Sequence, residues 1–265
     1  MMKPTLRKFM LSKQKIFCIF GWICFMMLPV GAIGQRNVEI GRVDNRHVFL
    51  NKADVLDLVL EQNQLTSADS LIIHGPLSGE DLRCLKLLAG GRYIAIYHGK
   101  EVNRTTTLRY LDLSNATLAP GNSGACTVDP VNMAFGKWKK YLLKNNALPS
   151  QTFGSCESLE CLVLPDSVEI VTDAFANCKH LQQVVLPFGL KEISASTFDG
   201  DIALQKVYCR ASQPAAMYYA SEAPLPCSIF RQAVLFVPLG AKKAYSKADG
   251  WKEFKEIVEY PTTNE

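Results

Sequence analysis

Histidine and tryptophan are scarce in this 265-residue chain, with four of the first and three of the second. The histidines are His47, His74, His98 and His180, and none lies in an H-E-x-x-H pattern or beside a second metal-ligating residue. No G-x-S-x-G elbow, P-loop or dinucleotide fingerprint is present. These absences exclude the enzyme classes that announce themselves by motif. The expectation is a chain with no catalytic residue, no cofactor and no metal. Charge of one sign is also lacking. The chain has 29 basic and 25 acidic residues, and five of the basic ones stand in the first fifteen positions. Beyond them the two signs nearly balance and no basic run occurs, which excludes nucleic acid and anionic lipid as expected partners.

What is present begins with an export signal. Lys3, Arg7, Lys8, Lys13 and Lys15 precede an apolar run from Ile16 to Val30, broken only by Gly21 and Pro29. Ala32-Ile33-Gly34 then places small residues where a signal peptidase reads. The run is shorter than the roughly 20 residues of a spanning helix, so residues 1–34 are expected to be a cleaved signal peptide, with no membrane insertion of the mature chain. Cys18 and Cys24 follow Phe17 and Ile23, large residues, which argues against lipidation. About 230 residues remain, enough for one elongated domain or two small ones.

Those residues contain an internal repeat. LPSQTFGSCESLECLVLP from Leu148, IVTDAFANCKHLQQVVLP from Ile170 and ISASTFDGDIALQKVYCR from Ile193 align. Phe153, Phe175 and Phe198 recur, and Leu159, Leu181 and Leu204 each follow six residues later. Next come Leu162, Val184 and Val207, then Leu164, Leu186 and Cys209, with Leu148, Ile170 and Ile193 five residues before each Phe. The pattern predicts one coil per repeat. Each coil has a short strand whose inward residues lie two apart and, in the first two, ends at Pro165 or Pro187, which have no amide to donate. One coil alone cannot bury its inward side chains, but stacked coils can, with strands about 4.8 Å apart in a parallel sheet.

The motif AFANCKHLQQVVLP from Ala174 resembles the BspA-like leucine-rich repeats of exported bacterial proteins. The resemblance covers Leu148 to about Gln213, and LFVPLGAKKAYSKADGWKEFKEI from Leu235 is similar to the segment that closes many such proteins. It implies a right-handed solenoid, secreted, periplasmic or at the cell surface, with interaction roles and no common catalytic site. The third unit departs from the pattern. Asp201 stands where Cys156 and Cys178 stand, and Cys209 where Leu is usual.

The flanks are expected to close the coil. Residues 35–46 are polar and read as a flexible lead-in. Residues 47–145 read as an α/β N-terminal cap with irregular leucine-rich coils. That cap has a helix near 53–61, a strand from Leu71 to His74 and a helix opened by a capping box at Ser78. A second strand covers Arg109 to Leu113, a loop 120–130, and a short helix 138–143. Repeats occupy 146–213, and 214–260 read as a helical C-terminal cap. That cap has a strand at 233–237, a helix near 241–248, and a second short helix bearing Trp251, Phe254 and Ile257 on one face. Trp251 is expected to be buried there. The fold class is thus a short α/β-type leucine-rich-repeat solenoid with a parallel sheet.

After the leader seven cysteines remain: Cys84, Cys126, Cys156, Cys161, Cys178, Cys209 and Cys227. Cys156 and Cys178 occupy equivalent places in adjacent coils and are expected to be buried thiols. The outward face of the strands is the candidate binding surface. Val163, Val185 and Tyr208 should form one column there, and Cys161, Gln183 and Lys206 a second. Of these, Val163, Val185, Tyr208, Gln183 and Lys206 are the candidate ligand-binding residues, for a protein or glycan. The function so expected is a non-catalytic binding or adhesion module. The alternatives are a secreted hydrolase assembled around Glu80, Asp81 and Asp112, or a structural spacer.

Overall fold

A computed structural model describes residues 41–53, 55–91, 107–120, 146–219 and 228–261. The leader, the loop beyond Pro120, the helix expected at 138–143, Cys126 and Cys227 lie outside the described residues. In chain order the strands are β1 (Gly41–Asp44), β2 (His47–Leu50), β3 (Ser70–Leu77), β4 (Tyr110–Asp112), β5 (Ala116–Leu118), β6 (Ala147–Leu148), β7 (Cys161–Val163), β8 (Ile170–Val171), β9 (Gln183–Leu186), β10 (Glu192–Ser194), β11 (Lys206–Cys209), β12 (Ala216–Tyr218), β13 (Val234–Pro238) and β14 (Glu256–Tyr260). A ten-stranded sheet runs β1-β2-β3-β4-β7-β9-β11-β13-β14, with β5 beside β3. A second sheet runs β12-β10-β8-β6. Among the described strands every pairing is parallel except β1 with β2, and an isolated antiparallel bridge joins Gly91 to Cys156.

The repeats make this a solenoid-like fold. Each sends one strand to each sheet, β6 and β7, β8 and β9, β10 and β11, where the spacing predicted a single strand. Leu162, Val184, Val207 and Leu235 lie in register along the inner face of the long sheet and are buried. In the second sheet the register is Leu148–Val171–Ile193. Val171 therefore takes the inward place beside Leu148 and Ile193, the residues that the repeat spacing aligned with Ile170, and Ile170 is only partly buried.

The phenylalanines hold the interior together. Phe153, Phe175 and Phe198 are fully buried. Phe175 meets Phe198 edge to face at 5.6 Å, and Phe198 meets Phe230 in the same way at 5.7 Å. Phe230 thus extends the ladder without sharing the repeat spacing. Two residues after each Phe, the chain turns through the left-handed region, at Ser155, Asn177 and Gly200, with φ of 57°, 65° and 79°. At Gly200 a Cβ would stand 2.3 Å from the Asn177 side chain, so a larger residue would fit there only if Asn177 moved. These turns let each coil bond to the next. Ser155 N–H donates to Ala176 O (2.9 Å) and Asn177 N–H to Asp199 O (2.7 Å).

N-terminal to the repeats, helices α1 (Leu56–Gln62) and α2 (Gly79–Leu88) pack on the sheet through Leu56, Val59, Leu60, Leu82, Leu85 and Leu88. The capping box at Ser78 is present. Ser78 Oγ accepts from Asp81 N–H, and Asp81 Oδ2 accepts from Ser78 N–H. Asp81 Oδ1 also accepts from Leu56 N–H at 2.9 Å, tying α1 to α2. Gly41–Asp44, expected within a flexible lead-in, form β1 and pair with β2. The polar composition that suggested irregularity belongs to a sheet edge, where charged side chains are normal.

At the other end the helices expected from the spacing are short. Helix α3 (Lys242–Tyr245) is a single turn, and Trp251–Glu253 is one 3-10 turn. The predicted second helix ends there. Phe254 adopts extended backbone, and Ile257 lies in β14, a parallel partner of β13. The three-residue spacing of Trp251, Phe254 and Ile257 masked a β-prone segment with branched Ile257 and Val258 and aromatic Tyr260. Trp251 is fully buried and its indole N–H donates to Ala215 O at 2.7 Å, which excludes a ligand-stacking role. Tyr245 Oη reaches Ala211 O (2.9 Å) and Gln213 O (3.2 Å) and lies 3.0 Å from Cys209 Sγ. Burial first, then the neighbouring Cys209, pushes its phenol well above the usual range.

Candidate ligand-binding face

The outward face of the long sheet carries two columns of side chains. Register places Ile72, Asp112, Val163, Val185, Tyr208, Phe236 and Val258 in one line across seven strands. Tyr110, Cys161, Gln183, Lys206, Val234 and Glu256 form the second. Both triplets expected from the repeat are therefore aligned. Val163, Val185, Tyr208 and Gln183 are half-buried, and Lys206 is exposed.

Tyr208 does not stand alone. Phe236 stacks on it at 4.5 Å and 13°, and Tyr260 meets it edge to face at 5.7 Å. Stacked rings on neighbouring strands cover each other's faces, so Tyr208 presents less open ring surface than an isolated tyrosine. Neither partner is in the repeat, and Tyr260 lies in the strand hidden by helix-like spacing. Beside this trio, Arg210 Nη1 donates to both carboxylate oxygens of Asp166 at 2.7 Å. The Arg210 guanidinium also lies 5.0 Å from the centre of the Phe188 ring, and Phe188 is 57% exposed.

At the opposite end of the face a second ring cluster forms. Phe49 stacks on His74 at 4.3 Å and Arg42 lies over Phe49 at 4.7 Å. His47 Nδ1 stands 3.0 Å from His74 Nε2. Burial first, then His47, holds the His74 imidazole below its ordinary range, while Asp112 acts the other way.

The carboxylates considered for catalysis are held by structural contacts. Asp81 caps α2, and Asp112 Oδ1 accepts from Ser114 N–H at 2.8 Å. Glu80 pairs with Arg83. An open cleft of about 690 Å³, lined in part by Asp69, Arg109, Ser158, Glu160 and His180, runs along the edge where strands β3 and β4 begin. Within it Glu160 pairs with Arg109 at 2.9 Å and accepts from Tyr110 Oη at 3.2 Å. That hydrogen bond raises the Tyr110 phenol above its ordinary value. Among the described residues, no group of three or more His, Cys, Asp and Glu is placed to hold a metal ion. Among them also, no helix is long and apolar enough to cross a membrane.

The cysteine column lies in the core. Cys156 and Cys178 are fully buried free thiols. Cys178 Sγ donates to Phe153 O at 3.0 Å, and its hydrogen bond with Cys156, with burial, pushes its thiol far above the usual range. Asp201 continues the column, fully buried, with Oδ1 accepting from Cys178 N–H at 2.7 Å. Among the described residues its Oδ2 has no hydrogen-bond partner, and burial pushes the carboxyl up to about 9.

Comparison with known families matches residues 146–220 to the BspA type leucine-rich repeat region, in six copies. No curated protein matches the chain.

Proposed function

We propose that the segment of BspA-type repeats serves as a non-catalytic binding or adhesion module for a protein or glycan, and that its ligand rests on the outward face of the long sheet. The observation that carries this reading is the unbroken column Val163–Val185–Tyr208–Phe236, apolar and aromatic, exposed in part, and built on rigid parallel strands. Contiguous apolar surface on a repeat protein is the feature that partners recognise. Gln183 and Lys206 border it and supply hydrogen bonds and charge. The proposed organisation is an export signal over 1–34 and an N-terminal cap through 145. Repeats then extend to 213, and a cap that includes α3 and the Trp251 turn covers the end of the core. Secretion to the periplasm, the medium or the cell surface follows from the leader, and the mature chain should begin near Gln35. Sequencing the N-terminus of the exported protein tests this, and an intact Met1 recovered from a membrane fraction overturns it.

The binding reading is tested by screening the intact chain on arrays of extracellular matrix proteins and bacterial surface glycans. Tyr208→Ala should then weaken the captured partner by about 2 kcal/mol or more, as truncation of a central aromatic does. Val163→Thr and Val185→Thr should cost less, because shape is nearly kept. Since Tyr208 also packs on Phe236 and Tyr260, its fold is checked by circular dichroism beforehand. A folded Tyr208→Ala protein with unchanged affinity moves the site off this face.

A further inference from the structure

We infer that His47 and His74 form a binding site for a late first-row divalent cation on the outward face of β2 and β3, with water completing the coordination. The two rings are 27 residues apart in sequence and are brought together by register. His47 pairs with Ile72 and Phe49 with His74 across β2 and β3, which sets the histidines diagonally on one face. Their Nδ1 and Nε2 atoms stand 3.0 Å apart. The ring centres lie 5.2 Å apart, so the two nitrogens now face each other across a hydrogen bond. Two metal–nitrogen bonds of about 2.1 Å at right angles also span about 3.0 Å, so turning the rings in place would bring both lone pairs onto one ion. Both histidines are only half-buried, so the site is open to solvent.

The surroundings favour a cation. Asp44 lies directly across from His47 in the β1–β2 pair, and Asp112 is close enough to His74 for its charge to be felt. Of the neighbouring cations, Arg42 lies over the Phe49 ring and Arg46 pairs with Asp69. The Phe49 ring, stacked 4.3 Å from His74, restrains that imidazole's plane. Without metal, one imidazole N–H donates to the bare nitrogen of the other. On binding, that proton transfers through water to the donor ring's second nitrogen, both facing nitrogens become ligands, and two of the ion's waters leave. No oxidation or net proton release is involved.

Calorimetric titration of the untagged chain with Ni2+ alone tests the site. One saturable equivalent should bind, and His47→Gln and His74→Gln should each weaken it about tenfold or more, while His180→Gln leaves it unchanged. A second measurement needs no variant. In the wild-type chain, Ni2+ should protect His47 and His74, but not His180, from acylation by diethyl pyrocarbonate. Absence of saturable binding up to about 1 mM Ni2+, wild-type affinity in both Gln variants, or equal protection of all three histidines overturns the proposal.

Discussion

Replacing Phe175 by alanine should lower the stability of the chain by about 3–5 kcal/mol, the cost of emptying a buried aromatic site. The ring is fully buried and sits in the middle coil, with Phe198 edge-on at 5.6 Å. It cannot be replaced by collapse from one side. Phe198 is itself fixed by Phe230 and Phe254, at 5.7 and 6.2 Å. In a repeat array each coil touches only its neighbours, so a cavity in the middle weakens two interfaces at once. For a domain of this size the melting temperature should fall by roughly 6–20 °C. A thermal melt followed by far-ultraviolet dichroism measures it. A melting point within about two degrees of the wild type's would mean that the coils are not stacked through these rings.

Asp201 should make the protein less stable as pH rises, the reverse of the usual carboxylate effect. Its carboxyl is pushed up to about 9 by burial and by the neighbouring Cys178, from an ordinary value of 3.8. Below about pH 4 the group is protonated in both folded and unfolded chains and contributes no slope. Between 4 and 9 the unfolded chain gives up the proton and the folded chain keeps it, so folding is opposed increasingly, by up to about 1.4 kcal/mol per pH unit. Above about 9 both forms are ionised and the slope vanishes. Asp201→Asn keeps the carbonyl that accepts from Cys178 N–H and removes the ionisation. The variant's advantage over wild type should therefore grow steadily from pH 5 to pH 8 in urea titrations. Parallel stability curves for the two proteins across that range would sink this account.

The interior of the repeats was legible in the sequence because two periods coincide. Phe153, Phe175 and Phe198 set the coil length, and Leu162 with Leu164 or Val184 with Leu186 set the inward parity of each strand. Once parity is known, the outward residues Val163, Val185, Tyr208, Gln183 and Lys206 follow without further information. What was not legible depends on register between elements that share no repeat. His47 and His74 meet only because β2 and β3 pair at one offset. Tyr260 reaches Tyr208 through a strand whose three-residue spacing imitated a helix. Val171, rather than Ile170, turns inward because the second sheet aligns it with Leu148 and Ile193. A one-residue shift of this kind reverses which side chain is buried, and only the pairing decides it.

The left-handed turns at Ser155, Asn177 and Gly200 have a consequence for how the chain can change over generations. The first two turns bond forward in the same way, Ser155 N–H to Ala176 O and Asn177 N–H to Asp199 O. A tandem duplication of the stretch from Ile170 to Glu192 would thus meet matching partners above and below itself. Its Phe would slot between Phe175 and Phe198, and its Pro would end a strand beside Pro187. Reading length is then a quantity that recombination can add or remove in whole units, one Gln–Val pair of outward residues at a time, with both ends of the molecule left as they are.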